Sequence, residues 1–129
     1  MNLKFYKCPK CNNIIIKLAG DKGKISCCNA EISEVIPNSV DASVEKHVPL
    51  ALVTLNEGVK IVAVDVGAIP HPMTEEHYIS HIIVETNKGF YVRNLKPFDN
   101  PSANFAMPQD EHCENVYSIC NIHGIWSAK

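Results

Sequence analysis

Two sets of metal-binding side chains stand out among the six cysteines and six histidines of this 129-residue chain. Near its end, Cys120-Asn121-Ile122-His123 sets a thiol and an imidazole where both can reach one ion from a strand-to-turn segment. Upstream, His47 follows Glu45-Lys46 and precedes Val48-Pro49, where proline forces the preceding backbone to be extended. His71 and His77 bracket Pro72-Met73-Thr74-Glu75-Glu76, a proline-started turn from which both imidazoles can return to one point. Each piece alone is ordinary: a single C-x-x-H is more often a core thiol beside a surface histidine, and Glu45-Lys46 is more often a solvated pair. Their joint occurrence offers one thiolate and four imidazoles to a mononuclear metal. Four imidazoles in a plane with one axial thiolate leave the sixth octahedral position open. Zinc prefers four ligands, whereas imidazole and thiolate both suit iron. A ferrous ion so held keeps a net positive charge, which attracts a small anion. The thiolate pushes electron density onto the metal, as it does in thiolate-ligated haem.

The second set is N-terminal. Cys8-Pro9-Lys10-Cys11 is a C-x-x-C knuckle, and Cys27-Cys28 follows after fifteen intervening residues. Four thiolates converging on one ion select zinc or iron, and the spacing leaves both open. Neighbouring side chains along a regular strand point to opposite faces, so the Cys27-Cys28 end of such a site must be distorted.

The elements that position these groups read as strands. Leu50–Leu55 and Val59–Val66 flank Asn56-Glu57-Gly58, and His77–Thr86 and Phe90–Leu95 flank Asn87-Lys88-Gly89; both are hairpin signals. Val116–Cys120 makes a further strand, and no helical periodicity is evident. This predicts an all-β fold, an immunoglobulin-like β-sandwich, over residues 37–129. Pro97–Asn115, polar and carrying Pro97, Pro101 and Pro108, reads as a long loop. Residues 1–36 are too few to bury an adequate core alone. They are predicted to be a small metal-fixed module with short strands at Leu3–Tyr6, Ile14–Leu18 and Ile32–Ile36. The boundary is placed at Ile36-Pro37-Asn38-Ser39.

Composition narrows the function classes. The net charge is −2, split as +3 over residues 1–36 and −5 over the remainder. Neither part has the basic, aromatic-studded face of a nucleic-acid binder. No apolar run approaches the roughly 18 residues of a membrane span, and the N-terminus lacks a secretory pattern. A cytoplasmic protein is expected, in which cysteines serve as metal ligands rather than disulfides.

The chain resembles the superoxide reductases, specifically the two-iron desulfoferrodoxin type. The resemblance is carried by Phe5-Tyr6-Lys7-Cys8-x-x-Cys11, Cys27-Cys28, Glu45-Lys46-His47-Val48-Pro49, His71-Pro72-Met73-x-x-x-His77-Tyr78-Ile79 and Cys120-Asn121-x-His123-Gly124-x-Trp126, in family order and spacing. It implies a desulforedoxin-like module (1–36) holding ferric iron with Cys8, Cys11, Cys27 and Cys28. It implies a neelaredoxin-like catalytic sandwich (37–129) holding a second iron with equatorial His47, His71, His77 and His123 and axial Cys120. It further implies that Lys46 supplies positive charge beside the open position and that Glu45 can occupy that position in the oxidised resting state. Two iron ions per chain, superoxide as substrate, a rubredoxin-type electron donor and a homodimer follow by the same resemblance. The alternatives are a non-catalytic iron-binding electron carrier and a zinc-ribbon regulator. Asn12 and Asn29 stand where the family usually has glycine, and asparagine tolerates a left-handed backbone well. His81 stands where relatives commonly have tryptophan and is expected to share a strand face with His77 and Ile79. His112 and Cys113 match no family ligand and read as exposed-loop residues.

Overall fold

The computed structural model describes residues 3–129; the reading of the N-terminus falls partly on Met1 and Asn2, which lie outside the described residues. The chain divides into two compact units, Met1–Ile36 and Pro37–Lys129.

In the smaller unit, β1 (Lys4–Lys7) lies between β2 (Ile14–Lys17) and β5 (Glu34–Val35), and β3 (Ser26–Cys27) pairs with β4 (Ala30–Glu31). The apolar alternation of β1 turns Phe5 inward to full burial. The knuckle closes through Cys8 N–H to Asn13 O at 2.9 Å and Asn12 N–H to Cys8 O at 2.9 Å. Asn12 and Asn29 both adopt the left-handed backbone, at φ 64° and 61°. Cys28 does so as well, at φ 53°, and this is the distortion that the cysteine doublet demands.

The larger unit is a β-sandwich, as expected. After a one-turn helix, α1 (Val44–His47), come β6 (Pro49–Asn56), β7 (Val59–Val66), β8 (Ile79–Thr86), β9 (Gly89–Asn94), β10 (Ser102–Pro108), β11 (Cys113–Cys120) and β12 (Gly124–Ser127). One sheet runs β10-β7-β6 and the other β12-β11-β8-β9, with every pairing antiparallel. The shared core includes Val62, Val64, Val66, Ile82, Val84, Phe105, Met107 and Val116. Each such side chain, fully buried, contributes about 1.5–3 kcal/mol by removal from water. Both glycine-containing turns form the hairpins that their sequence signals.

Three local readings change. The segment expected to be a long loop contains β10, whose Ala103, Phe105 and Met107 alternate inward against β7. It is an edge strand, the one place in a sheet where a proline such as Pro108 is tolerated. His81 does not share a regular face with His77. The β8–β11 register slips between Ile119↔His81 and Cys120↔Ile79, and His81 Nδ1 instead pairs with Ser80 Oγ at 2.8 Å. Cys113 opens β11 and is half-buried, while His112 is exposed.

Candidate metal centres

Five chain segments meet at one end of the larger unit because the ladders bring them there. Pro49 pairs with Val66, and Cys120 pairs with both Ile79 and Gly124. His47 ends α1 just before β6, His71 lies in the β7–β8 connection, His77 precedes β8, Cys120 ends β11, and His123 precedes β12.

The four imidazoles form a ring. Successive centroids are 4.6 Å apart for His47–His71 and His71–His77, 5.0 Å for His77–His123 and 4.9 Å for His123–His47. Neighbouring planes cross at 75–84°, while His47 and His77 face one another across the ring at 6.2 Å. His47 Nε2 is 3.1 Å from His71 Nε2 and 3.0 Å from His123 Nδ1. The ligating atoms of His47, His77, His123 and Cys120 all lie within 4.8 Å of one another, and Cys120 Sγ is 3.9 Å from His123 Nδ1.

The tautomers follow from the outer nitrogens. His47 Nδ1–H donates to Ser43 O at 2.6 Å and His71 Nδ1–H donates to Pro72 O at 2.7 Å, so each Nε2 turns a bare lone pair inward. His77 Nε2 is buried and meets no hydrogen-bond partner among the described residues. The bare Nε2 lone pairs of His47 and His71, 3.1 Å apart, repel unless a cation lies beside them. Metal–nitrogen bonds of about 2.1 Å at right angles set adjacent nitrogens about 3.0 Å apart, whereas a tetrahedron sets them about 3.4 Å apart. His47 Nε2 thus meets two neighbours at the right-angle spacing, while His71 lies outside the tight group formed by His47, His77, His123 and Cys120. Burial is the main reason that the His47, His71 and His77 pKa values are lowered, His71 to about 4, with the Ser43 and Pro72 carbonyls opposing it at His47 and His71. Neutral imidazole is the form that a metal requires.

The ring is braced from outside. Trp126 stacks on His47 at 4.8 Å and donates its indole N–H to His123 O at 3.0 Å. Ser118 Oγ–H donates to His47 O at 2.8 Å. Lys46 is exposed, and its charge reaches His47 and His77 closely enough to help lower both pKa values. Glu45 is exposed too, and its carbonyl oxygen is held by Ile69 N–H at 3.0 Å. Ser43 and Ser118 had no signal in the sequence, because their partners are backbone atoms fixed by the fold.

In the smaller unit the sulfurs of Cys8, Cys11, Cys27 and Cys28 form a second group within 4.8 Å. Cys11–Cys27 and Cys27–Cys28 are separated by 3.4 and 4.0 Å. These bracket the roughly 3.8 Å edge of a tetrahedron with metal–sulfur bonds of about 2.3 Å. Backbone N–H groups, Cys11 first, lower the Cys8 pKa to about 6. Cys28, hydrogen-bonded first to Cys11 and then to Cys8 and Cys27, is pushed up to about 12. The Cys8 sulfur therefore ionises more readily than that of Cys28, whose ionisation a bound cation would favour.

The desulfoferrodoxin family model matches residues 39–129. The chain belongs to the desulfoferrodoxin family. It is 39% identical to a desulfoferrodoxin of Syntrophotalea carbinolica and 40% identical to one of Desulfarculus baarsii, each over 127 residues covering 98% of this chain and 96% of the relative. Its structure is similar to that of the superoxide reductase from Treponema pallidum, with a TM-score of 0.77, 32% identity and full coverage of both chains. The family model spans the whole histidine–cysteine ring, and the two relatives match across both units of the chain.

Proposed function

We propose that this chain is a superoxide reductase that removes superoxide as hydrogen peroxide. The observation that carries the reading is the near-square of four imidazoles beside the Cys120 thiol. The structural likeness to the Treponema enzyme supports it. His47, His71, His77, His123 and Cys120 would hold one iron ion, and Cys8, Cys11, Cys27 and Cys28 a second. The iron held there would supply, when ferrous, the one electron that with two protons turns superoxide into hydrogen peroxide, and a rubredoxin-type donor would return that electron.

The residues around the ring do the rest. Lys46, exposed beside His47 and His77, draws the anionic substrate toward the ring. Its ammonium also orders water that can deliver protons. Glu45, one residue away, is the carboxylate available to the ring once substrate is spent. Its carbonyl is anchored and its side chain is exposed. Cysteines gathered as metal ligands fit a reducing, cytoplasmic setting. No helix of the described residues is long and apolar enough to cross a membrane.

The test is to mix the reduced, iron-loaded protein with a pulse of superoxide and follow its absorption, alongside iron content. Capture near the diffusion limit is expected, slowed about tenfold and made less salt-dependent in Lys46→Ala with iron retained. A reduced protein inert to superoxide would point instead to an electron carrier.

A homodimer is part of the same proposal. Edge strand β6 carries no charged residue, and Leu52 and Leu55 are 66% and 61% exposed. Apolar edges of this length pair with another chain unless protected. Sedimentation equilibrium should give twice the chain mass, falling to one chain mass in Leu52→Lys. A monomeric parent protein would remove the dimer from the proposal.

A further inference from the structure

We infer that Asn121 is a positioning residue that fixes the His77 imidazole relative to the Cys120 thiolate. The inference takes from the proposed function only that these two side chains serve one metal. The regular β8–β11 ladder ends at Cys120↔Ile79. Beyond that point the chain needs another means of holding its two ligand-bearing segments together. Asn121 provides it with one side chain and one backbone group. Its Nδ2–H donates to Glu76 O at 2.9 Å, and its Oδ1 accepts from Tyr78 N–H at 2.8 Å. Its own N–H donates to Tyr78 O at 3.1 Å. Glu76 and Tyr78 are the residues on either side of His77, so the amide grips the peptide groups flanking the ligand and acts as a stand-in for one more ladder step.

The opposite side of His77 is closed by Thr74. The Thr74 hydroxyl accepts from His77 N–H at 3.1 Å and donates to His77 O at 3.2 Å, and Thr74 N–H donates to the same carbonyl at 2.9 Å. His77 is thus held at its own peptide groups by Thr74 and at its neighbours by Asn121. Asn121 is also bonded covalently to Cys120. One residue therefore sets the separation of the thiolate and an imidazole whose Nε2 has no other partner. The role requires a planar group with one donor and one acceptor, one carbon from the backbone. Aspartate keeps the acceptor and loses the donor; alanine loses both.

Two measurements without superoxide test this, so the inference stands or falls apart from the catalytic reading. In the metal-free protein, hydrogen exchange at Tyr78 N–H is expected to be about tenfold faster in Asn121→Ala and close to the parent rate in Asn121→Asp, which keeps the acceptor. In protein loaded with cobalt(II) as the probe, Asn121→Ala is expected to weaken the histidine–cysteine group's hold on the metal by about 10–100-fold. The effect would be read by chelator competition through the thiolate charge-transfer absorption, whose energy should shift as Cys120 moves. The four-cysteine group in the same molecule is the control and should be unchanged. A loss of stability confined to the larger unit would lower the affinity without shifting the energy of the band. Unchanged Tyr78 exchange in Asn121→Ala, or an unshifted thiolate band with unchanged cobalt affinity in that variant, would overturn the assignment.

Discussion

Gly67→Ala is expected to disable the histidine–cysteine centre and leave the four-cysteine centre intact. A Cβ at position 67 would lie 2.5 Å from Glu45 O, 2.8 Å from the Lys46 carbonyl carbon and 3.0 Å from Lys46 O. All three are backbone atoms, so no side chain can rotate out of the way. The constraint is space rather than a left-handed backbone, because Gly67 is not among the positive-φ glycines. The connection that begins at Gly67 also carries Ile69, whose N–H holds Glu45 O at 3.0 Å, and His71, whose N–H bonds Val66 O at 3.0 Å. Pushing this connection off the Glu45-Lys46 turn therefore moves His47 and His71 apart and carries Lys46 with them. Overpacking of this kind costs about 1–3 kcal/mol. A ligand displaced by about 1 Å can cost on the order of 100-fold in rate. Urea titration and the superoxide pulse measure the two effects separately. Parent-like stability and rate would show that the loop accommodates a methyl group, and the latch would lose its significance.

This latch illustrates which parts of the molecule are written locally in the sequence and which are not. The ligands were legible because histidine and cysteine at turns and strand ends have distinctive chemistry whatever surrounds them. The hairpins at Asn56-Glu57-Gly58 and Asn87-Lys88-Gly89 were legible because turn geometry is set by adjacent residues. β10 was hidden by its prolines, although Ala103, Phe105 and Met107 already showed the two-residue period. α1 is a single turn, too short for a 3.6-residue period to register. The exposure of β6 could not be read at all, since its apolar residues look like a buried strand until the extent of the opposite sheet is known. The same holds for the braces of the site. Ser43, Thr74, Ser118 and Asn121 act through backbone groups brought near by the fold, and no residue pattern marks such partners in advance.

The metal-free protein is expected to lose stability as pH falls from about 6.5 toward about 4. In the unfolded chain a histidine takes up its proton near pH 6.5. In the folded chain burial lowers the pKa of His71 to about 4 and lowers those of His47 and His77 in the same direction. Between the two values the unfolded state binds protons that the folded state refuses, so acid favours unfolding. Above about pH 7 both states are neutral and these groups add no slope. Below about pH 4 His71 is protonated in both states and its contribution levels off. Each histidine kept neutral by the fold contributes up to about 1.4 kcal/mol per pH unit within the window. Carboxylates also titrate toward the acid end, so the diagnostic quantity is the difference made by His71→Gln, which should flatten the slope by about one proton. Trp126, the only tryptophan, is stacked on His47 and reports on this unit by fluorescence during urea titration. Bound metal competes with protons for the same lone pairs and should move the whole decline to lower pH. A metal-free stability profile that stays level between about pH 7 and 5, with no difference in His71→Gln, would mean that the ring already accepts protons in the fold and is not held as neutral ligands.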